Sequence, residues 1–132
     1  MRAPSSFEYA IVRVVPDVER GEQVNAGVIV HCRDRDFLEA CIELDPARLC
    51  ALAPAADLAL VQRHLEVIPR VCAGGPDAGP IGALPRVERW HWLVAPRSGI
   101  LQTSPAHAGL GDTPEVALER LFERLVRVPS RA

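Results

Sequence analysis

The chain has 132 residues, with 15 basic and 17 acidic side chains and a formal net charge of −2. That length favours one domain, 1–132, able to bury roughly two-thirds of its unfolded surface without a metal or disulfide staple. The charge balance argues against general nucleic-acid binding, because duplex-binding domains carry a basic excess, and no apolar run approaches the roughly 20 residues that span a bilayer.

Met1 to Ser6 holds one arginine and no apolar stretch of the kind a secretory signal needs, so a cytoplasmic setting is expected. Residues 1–6 and 128–132 read as loose termini. Phe7–Val15 (FEYAIVRVV) is a strand, apolar on both faces except for Arg13, which suggests a central position. Pro16–Gly21 supplies a turn. Val24–Cys32 is a second strand, with Val24, Ala26, Val28, Val30 and Cys32 on one face and Asn25, Gly27, Ile29 and His31 on the other. A glycine inside a strand marks a bulge or a close approach of another group. Arg33–Asp36 is a turn, and Phe37–Leu44 is a third, half-wet strand.

Asp45-Pro46 starts a short helix to Ala53, and a longer one follows near Ala56–Cys72, with Leu58, Val61, Leu65, Ile68 and Cys72 on one stripe. Ala73–Gly82 reads as a linker; its glycines lack the leading strand and the Lys-Ser/Thr of a phosphate loop. Pro85–Val94 fits either period, and the flanking prolines favour a short helix. Gly99–Ser104 is a fourth strand. Asp112 or Thr113 caps a final helix over Pro114–Val126. The class is α+β: an antiparallel sheet of about four strands with helices packed on one face.

Cys32, Cys41, Cys50 and Cys72 form no CxxC pair, so they read as small hydrophobes, with neither a disulfide framework nor a metal site expected. No cofactor motif is present. The densest group of hydrogen-bonding side chains lies between Ala95 and Leu110. On the predicted strand, Ser98, Gln102 and Ser104 form a polar column interrupted by Ile100, Arg97 stands at its start, and His107 follows in a turn. A guanidinium holds an anion bidentately, and a Ser–His pair is the minimum for nucleophilic catalysis, but no third group and no GxSxG elbow accompany it. Arg13 and Asn25 join this column only if they share its face. The candidate binding residues are therefore Arg13, Asn25, Arg97, Ser98, Gln102, Ser104 and His107, with no catalytic residue assigned.

Two blocks of residues carry a resemblance. The first joins Phe7-Glu-Tyr9, Arg13–Pro16 and Gly21-Glu-x-Val-Asn-x-Gly-Val28; the second joins Trp92-Leu-x-Ala-Pro-Arg-Ser98 and Gln102-x-Ser-Pro-x-His-x-Gly-Leu110. Together they resemble the bacterial family known as domain of unknown function 3037, over nearly the whole chain. The family's motif residues fall on Arg13, Asn25, Gly27, Trp92, Arg97, Ser98, Gln102, Ser104, Pro105 and His107, none with an established role. Gly99 stands where the family has a β-branched residue. The resemblance implies one α+β domain without assigned activity and a gene neighbourhood that often holds HipA-like kinases, which makes such a kinase a candidate partner. The leading expectation is a non-enzymatic binding or regulatory module. The alternative is a small phosphoester- or nucleotide-binding protein or enzyme using Arg97, Ser104 and His107. A weaker idea is homodimerisation through an exposed strand edge.

Overall fold

The computed structural model describes residues 5–111 and 113–127. Its longest strands are the two β-branched segments, β1 (Ser5–Val14) and β2 (Val24–Cys32), paired antiparallel through the Pro16–Gly21 turn. A 3-10 turn over Arg33–Arg35 closes on Asp36 in the left-handed region (φ 51°) and leads into β3 (Phe37–Ile42) beside β2. Two short strands, β4 (Leu101–Thr103) and β5 (His107–Gly111), both pair with the other side of β1. The sheet order is β3-β2-β1-β4, with β5 also on β1.

The helices begin where their caps dictate. Asp45 accepts the Ala47 and Arg48 amides at the start of α1 (Pro46–Leu52), and Asp57 accepts the Leu60 amide at the start of α2 (Leu58–Ala73). Gly74 ends α2 at φ 74° and returns its N–H to the Arg70 carbonyl. A 3-10 segment, Pro76–Ala83, leads to α3 (Arg86–Val94). Thr113 caps α4 (Pro114–Leu125) by accepting the Val116 amide; Asp112, the alternative cap, lies outside the described residues.

Antiparallel α+β architecture with helices on the sheet is as expected, and the helices divide between two faces. Ala10, Val12, Val14 and Ile29 pack with α1, α2 and α3 around Leu49, Leu65 and Trp90. Phe7, Val28, Val30 and Cys32 pack with Leu118, Leu121 and Phe122 of α4. The physical reason is the doubly apolar pattern of β1 and β2: a strand apolar on both sides needs cover on both. Each such Val or Ile contributes roughly 1.5–3 kcal/mol only if fully buried.

Three local expectations change. The first strand starts at Ser5, so residues 5 and 6 are not a loose end; residues 1–4 and 128–132 lie outside the described set. The fourth strand is confined to Leu101–Thr103, which leaves Ser98 and Gly99 before it. A fifth strand, His107–Gly111, forms from a segment with two glycines and no β-branched residue, because β1 extends far enough to pair with it. His107 is therefore the first residue of β5 rather than part of a turn.

Candidate functional site

Two irregularities in strand pairing decide which polar side chains meet. In β2, Gly27 opposes Val12 while Asn25 opposes Arg13, so Ala26 is an extra residue. Such a bulge shifts the alternation of side chains by one. Asn25 thereby leaves the face of Ile29 and His31 and joins that of Arg13. Its Nδ2 donates to the Leu125 carbonyl at the end of α4, 3.1 Å away. Gly27 is required at this point, because a Cβ there would overlap Ile42 Cδ1 and lie 2.9 Å from the Cys41 carbonyl oxygen.

The second irregularity joins β4 to β5. Thr103 opposes Val12 and His107 opposes Tyr9, so Ala10 and Ile11 face the longer run Ser104-Pro105-Ala106. In an unbroken strand, Gln102 and His107 would point to opposite faces. The extra residue puts both on the face of Tyr9 and Arg13. Directly opposed residues share a face, so Asn25, Arg13 and Gln102 form one row across three strands. Tyr9 and His107 form a second row on the same side, with ring centroids 5.2 Å apart.

Ile11 lies between these rows, half-buried and outside both core clusters. Helix α4 covers this face over β2 and β3. It also touches β1 and β5, and Tyr9 packs against its cluster, while Ile11, Arg13, Gln102 and His107 belong to neither core cluster. Arg13 is half-buried, and its Nε is buried without a hydrogen-bond acceptor. A buried donor left unmatched costs about 1–3 kcal/mol. No acidic oxygen among the described residues lies within ion-pair distance of Arg13.

Of the seven candidate residues, Arg13, Asn25, Gln102 and His107 come together here. The other three do not join them. Arg97 turns back on α3: Nη1 donates to the Leu93 carbonyl at 2.9 Å and Nη2 to the Trp92 carbonyl at 2.6 Å, with the guanidinium 4.5 Å from the Trp92 ring centroid. It closes a helix C-terminus, where carbonyls lack intrahelical partners. Ser104 is buried in the plane of the sheet. Its Oγ accepts the Ile11 N–H at 2.8 Å and donates to the Pro105 carbonyl at 3.0 Å, while its own N–H donates to the Ile11 carbonyl. The hydroxyl substitutes for a strand carbonyl at the β4–β5 joint. Ser98 is exposed ahead of β4. The expected column of Ser98, Gln102 and Ser104 is not formed, because the strand is too short to include Ser98 and Ser104 lies in the joint.

A family model described as a protein of unknown function, DUF3037, matches residues 9–126. The chain belongs to that family. No curated protein and no solved structure matches it. The site residues Tyr9, Ile11, Arg13, Asn25, Gln102 and His107 all fall within the DUF3037 match.

Sequence reasoning missed two groups in this DUF3037 chain. His31 is almost fully buried, stacked on Trp90 with ring centroids 5.4 Å apart and Nδ1 3.5 Å from Glu8 Oε1. Its Nε2 is buried without a partner, and burial lowers its pKa, opposed by Glu8. Arg89 is the other: its guanidinium donates to the Val71, Cys72 and Leu84 carbonyls and so closes α2. Nothing in the sequence announces Arg89, because the open carbonyls it closes are brought to it by packing. A cleft of about 440 Å³ runs beside β3, lined by Asp36, Leu38, Glu39, Cys72 and Arg86. Arg86 is paired there with Asp36 at 3.3 Å, and burial pushes the Cys72 thiol up to about 12. The cleft includes none of the candidate residues. Among the described residues, no group of three His, Cys, Asp or Glu side chains stands close enough to hold a metal, and no helix is long and apolar enough to cross a membrane.

Proposed function

We propose that this chain is a non-enzymatic binding or regulatory module that docks a partner protein on the sheet face beside α4, toward the β4–β5 edge. The observation that carries this reading is that two separate bulges turn Arg13, Asn25, Gln102 and His107 to one face beside half-buried Tyr9 and Ile11. Bulges commonly re-aim side chains next to functional sites. Tyrosine and arginine around an aliphatic centre match the residues that dominate protein–protein contacts. A HipA-like kinase from the same host is the candidate partner, on the family's gene neighbourhood.

Weighing against the phosphoester reading is the engagement of its groups. The Arg97 donors are spent on α3 carbonyls, and the Ser104 hydroxyl is spent at the strand joint. An activated nucleophile needs a base within hydrogen-bond reach and a free hydroxyl.

The test is co-expression with the kinase, followed by calorimetry on the purified pair. A complex is expected that His107→Glu weakens at least tenfold, while Val18→Glu, at an exposed site in the β1–β2 turn, leaves it unchanged. Absence of a complex, or one indifferent to His107→Glu, overturns the proposal.

A further inference from the structure

We infer that Arg13 is a receptor for a carboxylate, supplied by an Asp or Glu side chain of the docking partner; this rests on the docking reading above. Arg13 sits in the middle of a three-strand row, between Asn25 and Gln102. Both neighbours are neutral amides, and both have their NH2 groups committed to backbone, Asn25 to the Leu125 carbonyl and Gln102 to the Gly99 carbonyl. Neither compensates the guanidinium charge.

The contrast with other arginines is informative. Arg20 is paired with Glu22, Arg86 with Asp36 and Arg127 with Glu43. Arg89 and Arg97 spend their donors on helix-end carbonyls. Arg13 has neither arrangement among the described residues, yet it is half-buried and its Nε–H is shut off from water without an acceptor. A charge removed from water needs a countercharge or a set of hydrogen bonds. The Nη pair, which is not among the buried unmatched atoms, is the reachable edge, and a planar acceptor seated end-on takes one N–H from each Nη together, a fork geometry of arginine with carboxylate.

The site favours a carboxylate over a phosphoryl group. Its row presents one guanidinium between two neutral amides, a single positive charge that matches a singly charged carboxylate. The neighbouring Ile11 and Tyr9 provide an apolar and aromatic border against which the chain carrying the carboxylate lies.

The experiment follows the Arg Nε–Hε resonances of isotope-labelled protein while acetyl-Gly-Glu-Gly-amide is added, with the Gln analogue, phosphate and chloride as separate arms at matched ionic strength. The Arg13 resonance is expected to shift saturably with the Glu peptide, with an affinity at least tenfold above that for the Gln peptide, while Arg89 stays still. Arg13→Lys, which keeps the charge and loses the fork, is expected to weaken the Glu peptide at least fivefold, with folding checked by circular dichroism. A flat titration, an equal response to the Gln peptide or chloride, or tighter binding of phosphate overturns the inference. So does a kinase complex that His107→Glu abolishes and Arg13→Gln leaves unchanged; in that case docking stands and the carboxylate receptor does not.

Discussion

Substituting Gly27 tests whether the bulge that brings Asn25 beside Arg13 depends on the missing side chain. A Cβ at Gly27 would overlap Ile42 Cδ1, lie 2.9 Å from the Cys41 carbonyl and lie 3.3 Å from Val12 Cβ. The first obstacle is a side-chain tip that can rotate. The second is backbone of the neighbouring strand, which moves only if β3 slides outward. Overpacking of a filled core costs about 1–3 kcal/mol, and a backbone obstacle places Gly27→Ala at the upper end. Replacing glycine in an extended segment returns about 0.4–1 kcal/mol through the unfolded chain, leaving a net loss of about 2 kcal/mol. For a chain of this size, each kcal/mol moves the midpoint roughly 3–4 °C, so a fall of roughly 6–8 °C is expected in calorimetry. Gly99→Ala is the matched control, since nothing lies within 4 Å of a Cβ there; it is expected to be neutral or slightly stabilising. The side-chain amide resonances of Asn25 should broaden or move in Gly27→Ala only. Equal midpoints for the two variants would refute the steric account of the bulge.

Two further outcomes follow from groups elsewhere in the sheet. Ser104→Ala strips the acceptor from the buried Ile11 N–H, so denaturant titration should show a loss of about 1–3 kcal/mol, and the Ile11 amide should exchange with solvent much faster than in the parent. His31 should make stability sensitive to acid: burial holds its folded pKa below the ordinary value of 6.5, so the folded state binds fewer protons. Its contribution is complete above that ordinary value and is lost as pH falls through it toward the lower folded value. Stability curves between about pH 5 and 8 should therefore flatten in His31→Phe, and identical slopes would show that His31 is not the titrating group.

How much was legible in advance depended on whether the signal was local. Val24–Cys32 is legible to the residue because β-branched alternation is intrinsic to the segment. The starts at Pro46 and Pro114 were visible in Asp-Pro and Thr-Pro pairs, whose capping chemistry acts within one turn. What escaped was set by neighbours. Strand His107–Gly111 exists because β1 offers it hydrogen bonds, not because its own residues favour extension. The grouping of Arg13, Asn25, Gln102 and His107 depends on two register shifts, and a shift belongs to a pair of strands rather than to either sequence. Gly27 hinted at the first shift; Ser104-Pro105 gave no comparable sign of the second. The place of Arg97 is not legible because its spacing to Ser98 shows in the sequence and the open carbonyls of α3 do not.

The Ser104-Pro105-Ala106 joint has a consequence for how this chain tolerates changes in length. Removing one residue there would leave two residues facing Ala10 and Ile11, so an unbroken edge strand would carry His107 to the same partner, Tyr9. Gly109, whose lack of a side chain admits the Phe7 ring, would stay opposite that ring, and Leu110, 67% exposed, would stay outward. A deletion of three nucleotides there would thus leave both faces of the edge strand as they are. The joint behaves as a spare link, one residue longer than the pairing on either side of it needs.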